Sequence, residues 1–207
     1  MRCKQTILSL IFLATSVASS FAADGYVPLF DGETLNGWEP LPGGEWTVID
    51  GMIVGSQENT EKRHGMLLSE KQYGDFVVRL KYKSLEGNSG FYFRVQKVDH
   101  AVSVKGFQAE IDASGSDVGG LYETLGRAWV VQPKPEDVKK FYKHKDWNEM
   151  TVTAIGGNVT VTVNGVKTAE LKNDPGAREG YFGLQLHGGQ KMNVLFKDIA
   201  IKEMGPQ

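Results

Sequence analysis

From Phe76 onward this chain repeats one local device: a short run of alternating apolar and polar residues, then a turn rich in glycine. Phe76, Val78, Leu80 and Tyr82 alternate with Val77, Arg79, Lys81 and Lys83. Val159, Val161 and Val163 alternate with Thr160 and Thr162, and Phe182, Leu184 and Leu186 with Gly183, Gln185 and His187. A period of two is that of an extended strand with one buried face. Asp50-Gly51, Gly156-Gly157 and Asn164-Gly165 stand between such runs and predict tight hairpins. The last run, 194–201, reads as a strand bulged near Lys197-Asp198, and 55–65 reads as a polar loop. Only 135–142, with Pro first, Glu136 and Asp137 next and Lys139 and Lys140 later, fits a helical turn. Many short strands with so little helix predict an all-β antiparallel sandwich.

The amino terminus predicts a different fate. Arg2 and Lys4 precede an apolar stretch over 7–18, and Ser20-Phe21-Ala22 supplies small residues at a cleavage spacing. This is the pattern of a secretory signal peptide over 1–22, so the expected product is exported, to a periplasm or the exterior. The apolar stretch is too short for a membrane span. Residues 23–207 then form a single domain. Cys3 is the only cysteine, which leaves the domain without disulfides or thiol chemistry. The formal charge of −2 argues against nucleic acid as a partner. No cluster has metal-ligand spacing, no dinucleotide fingerprint appears, and no cofactor is expected.

Two central runs carry the residues suited to chemistry. In Gly90-Phe91-Tyr92-Phe93-Arg94-Val95-Gln96 the apolar set is Phe91, Phe93 and Val95. In Gly106-Phe107-Gln108-Ala109-Glu110-Ile111-Asp112 it is Phe107, Ala109 and Ile111. Strict alternation puts Tyr92, Arg94, Gln96, Gln108, Glu110 and Asp112 on the opposite face. A face so rich in carboxylates, amides and an aromatic ring suits a carbohydrate. Glu110 and Asp112, roughly 6.5–7 Å apart along one strand, cannot flank a glycosidic bond as a conventional glycosidase pair does. Arg94 is expected to hold Glu110 ionised or to donate to substrate. Tyr122, Arg127 and Trp129 follow the glycine-rich turn 115–120. Tyr122 and Arg127 are expected to close one end of the cleft, whereas Trp129 and Trp147 read as core. Asn148 is expected to brace a turn, and the loop residues His64, His100 and His144 receive no role.

Leu29-Phe30-Asp31-Gly32-Glu33-Thr34-Leu35-Asn36-Gly37-Trp38 resembles the opening of the 3-keto-disaccharide hydrolase domain family. Asn88-Ser89-Gly90-Phe91-Tyr92-Phe93-Arg94, Glu110-Ile111-Asp112, Gly120-Leu121-Tyr122, Trp147-Asn148 and Gly183-Leu184-Gln185-Leu186-His187-Gly188 follow in the family's order. The resemblance implies a concanavalin A-like jelly roll and action on glycosides oxidised to a ketone at C3. It also gives His187 its place in the candidate site. The expected catalytic residues are Glu110, His187 and Arg94. The expected substrate-binding residues are Tyr92, Gln108, Asp112, Tyr122, Arg127 and Gln185.

Three functions use such a face. An enzyme acting on 3-keto glycosides needs a base for the C2 proton, a group to stabilise the enolate and an acid for the leaving group. A lectin-like module needs only the binding surface. An interaction domain of a larger assembly needs an exposed apolar patch.

Overall fold

A computed structural model describes residues 24–205. The signal segment expected at 1–22 lies outside the described residues. Two short strands, β1 (Val27–Pro28) and β2 (Trp38–Pro40), come first. The hairpin β3 (Glu45–Ile49) and β4 (Met52–Gln57) follows, then β5 (Gly65–Tyr73), β6 (Phe76–Glu86), β7 (Asn88–Lys97) and β8 (Val104–Asp112). A second hairpin, β9 (Leu121–Thr124) and β10 (Ala128–Val131), leads into the short helix α1 (Pro135–Val138). The remaining strands are β11 (Asn148–Ile155), β12 (Asn158–Val163), β13 (Val166–Leu171), β14 (Gly180–Leu186) and β15 (Met192–Glu203).

The strands form two antiparallel sheets. One runs β13-β12-β11-β6-β15-β4-β3, with β1 added to β15, and the other runs β10-β9-β8-β7-β14-β5-β2. The predicted turns have a physical basis in the backbone. Asp50 and Gly51 have φ of 49° and 75°, and Asn164 and Gly165 have 49° and 81°. Two consecutive left-handed residues twist a hairpin in the sense its strands already have. The bulge expected in the last strand is present: the register of β15 on β6 shifts between Lys197 and Ala200, with Asp198 at φ 53°. The polar loop is shorter than 55–65, because β4 extends to Gln57.

The sheets face each other across one core. Phe76, Val78, Leu80 and Tyr82 of β6 and Phe196 of β15 meet Phe91, Phe93, Phe107 and Ile111, all buried. Each such side chain contributes about 1.5–3 kcal/mol when removed from water. Trp147 is not in this core. It is half-buried, with the Lys197 ammonium 4.1 Å from its ring centroid. Asn148 does brace a turn, bonding to Lys143, Asp146 and Asn164.

Alternation along β7 fails at one residue. Arg94 has φ 52°, and the register of β7 on β8 shifts between Phe93 and Gln96. An extra residue in one strand reverses the facing of everything after it. Val95 therefore joins Met66, Leu68, Tyr92 and Val104 in a second apolar cluster, not the core set with Phe93. The Arg94 side chain is wholly buried, away from Glu110. Its five N–H groups make five bonds: two to the Gly74 carbonyl, one each to those of Gly156 and Ala177, and one to Asp75 at 2.9 Å. The expectation that Arg94 faces the site with Glu110 is corrected here. It ties turns of both sheets together instead.

Candidate functional site

The outer face of the seven-stranded sheet carries a cavity of about 350 Å³. Its floor follows from strand register. Gln108 of β8 lies between Tyr92 of β7 and Tyr122 of β9, and Tyr122 in turn faces Trp129 of β10. Tyr92, Gln108 and Glu110 share the phase expected for them, and all three are buried rather than wet. Gly90, the register partner of Glu110, keeps the space open. A Cβ there would come within 2.5 Å of the Gln108 amide nitrogen.

Among the described residues Glu110 is the single carboxyl lining the cavity. The Gln108 Nε2 donates to its Oε2 at 2.7 Å, and the Asn88 Nδ2 donates to its Oε1. No cation contacts it among the described residues. Burial dominates over the Asn88 amide donor and pushes the carboxyl up to about 8, with the carboxylates of Asp112 and Asp117 adding in the same direction. Glu110 is therefore mostly a neutral acid at neutral pH.

A chain of neutral groups runs from it across the sheet. The Gln108 Nε2 also lies 3.3 Å from Gln185 Oε1, within donating distance. Gln185 Nε2 donates to the Tyr92 hydroxyl at 3.0 Å and lies 2.8 Å from His64 Nδ1. An amide nitrogen only donates, so His64 Nδ1 accepts and its proton sits on Nε2. Burial, then the neighbouring His187, lowers the His64 imidazole to about 4, which keeps it uncharged. The Tyr92 hydroxyl closes the chain on Thr124 Oγ1 at 3.1 Å, and burial raises its pKa.

His187 follows β14 and stacks at a tilt on His64, ring centroids 4.3 Å apart. Its Nδ1 lies 2.8 Å from the Gly188 carbonyl. A carbonyl accepts only, so Nδ1 carries a proton, and in the neutral ring the lone pair is therefore on Nε2.

The cavity thus brings together Glu110, His187, Tyr92, Gln108, Tyr122 and Gln185. Three predicted residues fall elsewhere. Arg94 is the inter-sheet tie described above. Asp112 ends β8 and accepts from the Ser114 and Ser116 amides, which orders the following turn. Arg127 leaves the cavity and forks onto Asp174 at 2.7 and 2.9 Å. Conversely, Asn88, His64 and Trp129 line the cavity without having been assigned to it. Alternation back from Tyr92 would have found Asn88. Recognising β5 would have put His64 at a strand mouth rather than in a loop. Pairing β9 with β10 would have turned Trp129 toward Tyr122. Among the described residues no group of three or more His, Cys, Asp or Glu side chains is placed to hold a metal ion. The opening motif builds a turn: Asp31 accepts from the Glu33 and Thr34 amides, and the Trp38 indole donates to Leu29.

Comparison with known proteins adds a family and a fold. The sequence profile of the 3-keto-alpha-glucoside-1,2-lyase-like domain matches residues 25–202. A Bacteroides thetaiotaomicron protein named 3-keto-disaccharide hydrolase is 35% identical over 86 residues, which is 37% of this chain and 29% of that protein. The match therefore spans less than a third of the relative's length. A Parabacteroides distasonis structure described as a candidate glycosyl hydrolase superposes with a TM-score of 0.68 at 22% identity, over 90% of this chain and 97% of that one. The carbohydrate-binding module CBM66 from Bacillus subtilis superposes with a TM-score of 0.61 at 19% identity, over 81% of this chain and 96% of that one. These likenesses identify the two-sheet sandwich as a jelly roll of lectin type.

Proposed function

Given that the chain belongs to the 3-keto-alpha-glucoside-1,2-lyase-like domain family, we propose that its cavity cleaves 3-keto glycosides by elimination followed by addition of water. One observation carries this reading: the cavity offers one carboxyl, neutral at neutral pH, beside two imidazoles. A conventional glycosidase needs two carboxyl groups about the scissile bond. Elimination needs one base and one acid.

A ketone at C3 acidifies the hydrogen on C2. His187 Nε2 takes that proton, and the electron pair moves onto the C3 oxygen as an enolate. The His64 Nε2–H donates to this oxygen. Being uncharged and oriented by Gln185, it stabilises developing charge without surrendering its proton. The enolate re-forms its ketone as the C1–O bond breaks, and Glu110 protonates the departing oxygen. Its two amide donors occupy one position on each carboxyl oxygen, which leaves a position for the acid proton. The Glu110 carboxylate then takes a proton from water as that water adds to C1. His187, whose Nε2 proton exchanges with solvent while the unsaturated ketone is held, then protonates C2. The sum is one glycosidic bond hydrolysed, with both catalytic groups restored. The substrate is a carbohydrate already oxidised by a separate oxidoreductase, and the amino-terminal pattern over 1–22 supports an exported enzyme.

The test compares a glucoside with its chemically prepared 3-keto form. Release of the aglycone from the keto form alone, with deuterium from D2O appearing at C2, is the expected result. Binding of either compound without release returns the protein to the lectin-like reading. Release from the unoxidised glucoside at a similar rate removes the elimination.

A further inference from the structure

The cavity has two unlike ends. Toward β14 lie His64, Gln185 and His187, and toward the β10 edge lie Tyr122, Leu125 and Trp129. Glu110, on β8, stands between them. Leu125 caps the turn between β9 and β10, 45% exposed, with φ 54°. A branched side chain held left-handed costs roughly 1–2 kcal/mol. The adjacent Gly126, which would bear that conformation freely, is not in it. Leu125 gains no core burial in return. Backbone strain kept at the mouth of a cavity points to a ligand.

Trp129 stands edge-on to Tyr122, centroids 5.3 Å apart and planes at 86°. It leans over Gly120, where a Cβ would lie 2.8 Å from the indole. Arg127 clamps the turn from outside through Glu123 and Asp174. The wall is therefore set before any ligand arrives. Around it the Thr124 hydroxyl is bonded to Tyr92 and the Glu123 carboxylate to Arg127, which leaves the Tyr122 hydroxyl and the Trp129 indole N–H as the open polar groups of this wall. A second sugar would find only these two side-chain partners for its several hydroxyls there.

We infer that Tyr122, Leu125 and Trp129 form the leaving-group subsite, and that the substrates favoured are 3-keto glucosides of a flat, apolar aglycone such as a phenol. The inference rests on the cleavage reading above. It places the keto sugar against the imidazoles, the scissile oxygen at Glu110 and the aglycone between Trp129 and Leu125, where apolar area is covered on binding.

The experiment takes the ratio of kcat/KM for nitrophenyl 3-ketoglucoside to that for methyl 3-ketoglucoside. Leu125→Gly lowers this ratio about tenfold, and Trp129→Leu lowers it further. The Leu125→Gly protein melts no lower than wild type, since glycine relieves the left-handed strain, so a fall in the ratio is not a folding defect. A ratio within about twofold of wild type overturns the inference. Should neither keto glucoside be cleaved, the cleavage reading fails alone, and calorimetry with the unoxidised nitrophenyl and methyl glucosides decides the subsite. Tighter binding of the nitrophenyl compound, lost in Leu125→Gly, supports it, and equal affinities overturn it.

Discussion

Two ionisable side chains are buried on adjacent strands, Arg94 on β7 and Glu110 on β8, and their surroundings could hardly differ more. Arg94 makes five hydrogen bonds for its five N–H groups and has Asp75 as a counterion. Glu110 has two uncharged amides, no cation in contact among the described residues, and two carboxylates acting on it from farther along the chain. A buried charge whose every valence is met is a structural tie. A buried carboxyl left under-compensated holds its proton into the neutral range and becomes a proton donor.

The largest expected effect tests the Glu110 half of this contrast. Glu110→Gln keeps the shape and one of the two amide contacts but removes the acid, and His187→Ala removes the base. Each should lower kcat on a 3-ketoglucoside by about 10²–10⁴-fold, read by aglycone release under single-turnover conditions. Near wild-type rates in both would remove these residues from the mechanism.

The next test addresses Arg94. Arg94→Met leaves Asp75 without its counterion and three carbonyl groups without the guanidinium donor, and should cost about 3–5 kcal/mol of stability, measured by urea unfolding. The folded fraction should keep its kcat, because the guanidinium does not reach the cavity. A stable Arg94→Met protein with lost turnover would reverse the assignment.

A smaller effect appears in the pH dependence of stability. The folded Glu110 is raised to about 8 from 4.5, so the native state binds the extra proton between those values. That contribution is fully present below the unfolded value and is lost as pH rises through about 8. Wild type should therefore lose about 2–3 kcal/mol between roughly pH 6 and pH 9 that the Glu110→Gln protein does not lose. Equal slopes in the two proteins would show that Glu110 titrates normally. The same deprotonation should form the alkaline limb of the activity profile.

The sheet framework was legible in the chain because alternation and turn residues are local signals. Asp50-Gly51, Asn164-Gly165 and the β6 pattern each state their structure within a few residues. The Tyr92, Gln108 and Glu110 face was legible for the same reason. Arg94 was not, because one left-handed arginine in a strand carries no mark, yet it reverses the facing of everything beyond it. His64 was missed because its meaning lies in contacts with Gln185 and His187, over a hundred positions away. Trp129 and Arg127 were both misplaced: the indole, expected in the core, lines the cleft, and the guanidinium, expected in the cleft, clamps the turn from outside. A hairpin turn with Leu125 and Ala128 both left-handed gives no composition from which to set its phase.

The two glutamines between Glu110 and His64 carry no charge and do not titrate, but every bond along them has a direction. Rotating one amide to present its oxygen where the nitrogen stood would set acceptor against acceptor at the next link. The row therefore behaves as a line of dominoes standing one way. Ionising the carboxyl at one end tightens its grip on the first amide, and the imidazole at the far end registers the pull. A ring resonance of His64 that moves in step with Glu110, well above the pH at which that ring itself takes a proton, would be the audible end of that line.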